Sequence, residues 1–99
     1  MVLVLSKFKV ANGMTREVKQ AFVNRPHQVE GAAGFIRLDV VSPRDQPDEI
    51  WLLTYWSDFS SYEQWHKSPA HHESHQGIPR GLKLDPASTQ VRIFEHICS

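Results

Sequence analysis

Two segments of this 99-residue chain are apolar on both faces of an extended strand. In residues 2–10, VLVLSKFKV, one face carries Val2, Val4, Ser6, Phe8 and Val10, and the other carries Leu3, Leu5, Lys7 and Lys9. Residues 49–56, EIWLLTYW, are the most strand-prone stretch of the chain. Helices cover one side of such a sheet, and a sheet whose other side meets water should alternate apolar with polar. A chain this short lacks the material to cover both sides. The pattern therefore predicts a symmetric homodimer in which two sheets pack face to face and close a barrel.

The remaining punctuation divides the chain into one domain, residues 1–99, with no repeat or low-complexity tract. Asn12-Gly13 signals a turn, after which Thr15 is the predicted N-cap of a helix from about Arg16 to Glu30. Val18, Ala21, Phe22, Arg25 and Val29 form its apolar stripe, and Pro26 should kink it. Gly31-Ala-Ala-Gly34 breaks the helix, and residues 35–41 and 49–56 are strands. Asp58 or Ser60 opens a second helix that runs to about His66, with Ser60 and Glu63 at capping-box spacing. Ser68-Pro69 restarts a short helix bearing His71, His72 and His75, which Gly77 ends. Residues 77–89 read as a long loop and residues 90–97 as the last strand. The order is βαββαβ, an α+β, ferredoxin-like plan with an antiparallel sheet and helices on one face.

Composition narrows the function. Eleven Lys and Arg balance eleven Asp and Glu, which leaves no electrostatic footprint for nucleic acid or an anionic membrane. No apolar run reaches the length of a membrane span, and the first residues lack a signal-peptide pattern. The single cysteine, Cys98, excludes an internal disulfide framework and fits a reducing cytoplasm. No Ser-His-Asp arrangement, Gly-rich phosphate loop or CxxC motif is present.

Four places could carry chemistry. His71 and His75, or His72 and His75, share a helix face and could hold a metal or ligate haem iron; surface helices also collect histidines without purpose. Tyr62 and Trp65, three apart, should face the sheet with Phe59, as core or as the flat wall of a pocket for a planar ligand. Ser6 is the polar residue on an apolar face, bonded to nearby backbone or placed for a ligand. Arg25, beside Phe22, is either a snorkelling side chain or a partner for a carboxylate at a pocket mouth.

The Gly34-Phe35 pair and the run from Thr54 to His75, TYWSDFSSYEQWHKSPAHHESH, resemble the antibiotic biosynthesis monooxygenase (ABM) family, and the similarity covers nearly the whole chain. The resemblance implies a dimeric α+β barrel. It is nearest the IsdG-like haem-degrading monooxygenases, which use an Asn on the first strand, a Trp on the second helix and a proximal His. Trp65 and His75 match the Trp and the His. Ser6 stands where that branch has Asn, which helps hold the distal oxygen ligand; serine is shorter and donates one hydrogen.

The resemblance thus implies Trp65 and Ser6 as catalytic positions and His75 as the haem-iron ligand. Phe22 and Arg25 are then haem-binding residues, with Arg25 at a propionate. Haem would be both substrate and cofactor, with an electron donor as partner. Trp65 would press on the porphyrin face and favour a ruffled macrocycle. The alternative within the family is a cofactor-independent monooxygenase for a polycyclic aromatic or quinol substrate, with His75 or Tyr62 as proton donor or acceptor. A third reading is a non-catalytic dimeric barrel that binds a small planar aromatic molecule.

Overall fold

A computed structural model describes residues 1–25, 27–69 and 79–99. The strands are β1 (Val2–Lys9), β2 (Phe35–Val41), β3 (Glu49–Trp56) and β4 (Gln90–Glu95), and the helices are α1 (Thr15–Val23) and α2 (Phe59–His66). They form an antiparallel sheet in the order β2-β3-β1-β4, the ferredoxin-like arrangement that the element order predicts.

The β1–β3 register assigns every side chain to a face. Val2 lies opposite Trp56, Val4 opposite Thr54, Ser6 opposite Leu52 and Phe8 opposite Ile50. These residues look toward the helices, because directly paired residues share a face. The core on that side is in two parts. At one end Val2, Val4, Val29 and Trp56 are buried together, with Phe35, Tyr62 and Trp65 packed on them. At the other end Val10, Val18 and Ile50 are buried, with Phe8, Met14, Phe22 and Leu82 against them. Trp56 is fully buried, and Phe35 and Tyr62 meet it edge-on at 5.5 and 5.8 Å between ring centroids. Edge-to-face pairs of this kind add about 0.5–1.5 kcal/mol each beyond the area they bury.

The opposite face also is apolar at its centre. Leu3 pairs with Tyr55 and Phe94, and Leu5 pairs with Leu53. Around them, Lys7 lies over Trp51, Arg37 over Tyr55 and Arg92 over Phe94, at 5.3–5.5 Å from the rings. Val41 and Phe94 are exposed there.

Several local expectations are corrected. The first helix does not run from Arg16 to Glu30: α1 ends at Val23, and a separate 3-10 turn covers Val29–Gly31. The residue before a proline is pushed out of helical geometry, so the break belongs before Pro26 and is more than a kink. Thr15 is not the N-cap. It is the first helical residue, and its hydroxyl donates to Asp48 Oδ1 at 2.6 Å, tying α1 to the start of β3. Asp58, not Ser60, caps α2: its carboxylate accepts the Ser61 N–H at 2.8 Å. That bond holds the Asp58 carboxyl below its ordinary pKa. The loop at 77–89 contains a 3-10 turn at Pro86–Ser88, capped by Asp85, and Leu84 forms a β-bridge with Val10. The last strand stops at Glu95. The expected helix with His71, His72 and His75 lies outside the described residues.

Gly34 decides how β2 meets α2. Its φ is +80°, and a Cβ there would overlap the Ser61 side chain and lie 2.7 Å from Ser57 Oγ. Gly13 shares the positive φ, at 75°, but a Cβ there meets nothing within 4 Å. Gly34→Ala should therefore destabilise the fold by about 2–4 kcal/mol, combining backbone strain with overlap. Gly13→Ala should cost only the backbone part, about 1–2 kcal/mol. Denaturant unfolding of the two variants checks the difference, and equal losses would remove the close approach at Gly34 as the cause.

Candidate functional site

Between the two core clusters the helix side of the sheet is left open. The middle of β1 and β3 presents Ser6, Leu52 and Thr54 there, and a cavity of about 440 Å³ stands over them. That volume lies within the roughly 300–1,000 Å³ of ordinary small-molecule sites. Val4, Phe8 and Trp56 complete the floor. Val18, Ala21, Phe22, Arg25 and Val29 form one wall, and Tyr62, Trp65 and His66 form the other. Pro79, Leu82, Leu84 and Val91 line the rest.

The stripe read on the first helix therefore holds as a surface although the helix does not. All five of its residues face the cavity, with Phe22 on α1, Arg25 just past its end and Val29 on the 3-10 turn. Phe22 packs on Phe8 from β1, with ring centroids 6.1 Å apart. Ser6 makes no side-chain hydrogen bond among the described residues, so its hydroxyl is not spent on nearby backbone. Trp65 is half-buried and packs on the core cluster around Trp56. Its other side borders an open groove lined by Gln28, Ala32, Gln64 and Ser68. Tyr62 stacks on His66 at 5.7 Å, whereas Phe59 is exposed and touches only the Tyr62 ring among the aromatic pairs.

The cavity wall is apolar apart from a few polar groups, and Arg25 is its one guanidinium or ammonium among the described residues. Arg25 Nη2 donates to Glu30 Oε1 at 2.8 Å, and Nη1 donates to His27 Nδ1 at 2.8 Å. Partial burial pushes the Glu30 carboxyl up, but the hydrogen bonds from its backbone amide and from Arg25 outweigh this and leave it below its ordinary pKa. Burial pushes the Tyr62 phenol up, so it stays protonated at neutral pH.

Ser6, Phe22, Arg25 and Trp65 thus converge on one cavity, while His75 lies outside the described residues. Sequence reading overlooked His66, Thr54 and Glu30. His66 was legible, being four residues from Tyr62 on the same helix face. Thr54 was legible as the polar residue aligned with Trp56 along β3. Glu30 was not, because its reach to Arg25 depends on the helix ending at Val23. Among the described residues no group of three or more His, Cys, Asp and Glu is placed to hold a metal ion, and no helix is long and apolar enough to cross a membrane.

The sequence profile described as antibiotic biosynthesis monooxygenase matches residues 1–77. The chain belongs to the ABM family. Among its curated relatives, the heme-degrading monooxygenase of Bacillus thuringiensis subsp. konkukian is 32% identical over 97 residues, covering 94% of this chain and 90% of the relative. The mycobilin-producing heme oxygenase of Mycobacterium tuberculosis is 25% identical over 94 residues, covering 95% and 85%. Solved ABM-type structures share the fold. MhuD, a heme-degrader from M. tuberculosis solved with two hemes in its active site, superposes with a TM-score of 0.77 at 22% identity, covering 100% of this chain and 98% of MhuD. SnoaB, a cofactor-independent oxygenase from Streptomyces nogalater, superposes with a TM-score of 0.77 at 17% identity, covering 99% and 94%.

Burial of Tyr62 has a direct readout. Ultraviolet titration should show a phenol that ionises later than the ordinary tyrosine value of about 10, and Tyr62→Phe should remove it. Loss of an ordinary titration instead would place the Tyr62 hydroxyl in water.

Proposed function

We propose that this ABM-family chain is a haem-degrading monooxygenase whose substrate lies in the cavity between the sheet and the helices. The observation that carries the reading is the convergence of Ser6, Phe22, Arg25 and Trp65 on one apolar cavity, with the Arg25 guanidinium at its edge. Curated relatives named for haem degradation support it.

The wall chemistry fits a haem. Phe22, Leu52, Val29 and Trp65 offer apolar and aromatic surface to a flat macrocycle, and burying that surface drives binding. Arg25 suits a propionate, since a guanidinium matches a carboxylate in shape and charge. His75 is the proposed axial ligand, on sequence grounds alone. When bound, the iron porphyrin supplies the oxygen chemistry, with electrons from an external donor. The protein's part is to bind, orient and shield. Trp65, on α2, would hold the macrocycle from the helix side of the cavity. Ser6 presents one hydroxyl from the sheet floor, where it can donate a hydrogen bond to a group bound in the cavity. Tyr62, kept protonated by burial, can also donate.

The cofactor-independent reading has its own support in the likeness to SnoaB. It assigns the same cavity to a polycyclic aromatic or quinol substrate. Haemin titration separates the two. Wild type should give a Soret shift, and His75→Ala should abolish or move it. Adding reductant and oxygen should then bleach the band and release iron. Absence of any shift favours the cofactor-independent reading, and a band that persists favours haem storage. Ser6→Asn restores the side chain of the haem-degrading branch and should raise turnover severalfold; an unchanged or lower rate would show that this position does not face the reacting group.

The working unit in this reading is a dimer. The second face of the sheet, with Leu3, Leu5, Leu53 and Tyr55 at its centre, is too apolar to leave in water, and a second copy of the same face covers it. Leu53→Glu places a charge in that centre without touching the cavity. Sedimentation should give a dimer for wild type and a folded monomer for the variant. A monomeric wild type at micromolar concentration would refute the pairing.

A further inference from the structure

We propose that Glu30 sets the charge preference of the cavity by holding the Arg25 guanidinium, so that an acidic aromatic ligand must compete with the Glu30 carboxylate for it. This rests on the reading of the cavity as an aromatic-ligand site and adds which group at its edge selects among such ligands.

The described cavity wall contains one guanidinium and no carboxylate, so selection by ligand charge falls on Arg25. That guanidinium is already engaged. Its Nη2 donates to Glu30 Oε1 at 2.8 Å and its Nη1 to His27 Nδ1 at 2.8 Å. His27 Nδ1 lies between the two groups, 2.8 Å from Arg25 Nη1 and 3.4 Å from Glu30 Oε1. Two of the five N–H donors of the guanidinium are therefore already spent on residues of its own chain.

Position makes the arrangement exchangeable. The Arg25 side chain is 20% exposed and Glu30 is 37% exposed, so the pair sits at the edge of the cavity and the carboxylate has water within reach. A ligand carboxylate or sulfonate can replace Glu30 on Arg25 while Glu30 is hydrated in its place. The free-energy difference is that of one exposed ion pair, which is small but sufficient to discriminate. A neutral aromatic ligand of the same size meets the same apolar wall and makes no demand on Arg25. Glu30 thus lowers affinity for acidic ligands and leaves neutral ones unaffected. Its hydrogen bonds also keep its own carboxyl ionised at neutral pH.

The test uses two probes with a similar aromatic body. Anilinonaphthalene sulfonate carries a negative charge and phenylnaphthylamine carries none; both fluoresce on entering an apolar site. Glu30→Gln should bind the sulfonate about 2- to 5-fold more tightly than wild type, the range that an exposed ion pair supports, and bind the amine equally well. Arg25→Gln should lose affinity for the sulfonate and keep the amine. In the double variant the gain from Glu30→Gln should vanish. The substitutions are at partly exposed positions, and circular dichroism checks that each variant is folded. No gain with the sulfonate, an equal gain with both probes, a gain that survives without Arg25, or no binding of either probe would each overturn the proposal. Haemin and its dimethyl ester repeat the comparison on the proposed substrate. If wild type fails to bind haemin while the sulfonate behaves as stated, the haem reading fails and the role of Glu30 stands.

Discussion

Because Val2 pairs with Trp56 and Phe8 pairs with Ile50 across the β1–β3 ladder, the ends of both strands carry the bulk on which the helices pack, and the middle does not. At the middle stand Ser6 and Leu52, with Thr54 one pair along. A core normally closes to crystal-like density. Here it closes twice, once around Trp56 and once around Ile50, and the space between remains as the cavity. The polar edge of Ser6 and the break in the first helix both lie at this gap, so it is a property of the strand pairing and not a packing defect.

The end of α1 at Val23 matters as much as its start. A continuous helix to Glu30 would carry Arg25 and Glu30 five residues apart, around the helix from each other. With the helix ended and the chain resumed as a 3-10 turn at Val29, the two side chains meet at 2.8 Å. Val29, on that turn, stays in the wall. Gly34 then brings β2 against the start of α2 closely enough that a methyl group would overlap Ser61. The position of Trp65 depends on that approach, because α2 is placed by its first turn.

Much of this was legible in the residues. Alternation in VLVLSKFKV assigned Val2, Val4, Ser6 and Phe8 to the helix side, and the register agrees. The stripe of Val18, Ala21, Phe22, Arg25 and Val29 predicted a common face, and all five line the cavity. Thr15 failed as a cap and Asp58 rather than Ser60 held, because local spacing cannot say which partner is nearer. Thr15 finds Asp48, remote in sequence, and Asp58 outcompetes Ser60 for the first turn of α2. His75 was named from its match to the proximal His of the haem-degrading branch, and it lies outside the described residues.

The sequence by itself determined the order of elements, the faces of the strands and the family, since these depend on local period and on motif. Only the tertiary structure decided that the gap in the core falls at Ser6, that His66 and Thr54 share its wall, and that Arg25 is already bound by Glu30. Those facts depend on strand register, which aligns residues remote along the chain, and on the helix break after Val23, which brings Arg25 and Glu30 within bonding distance, and no local pattern carries that information.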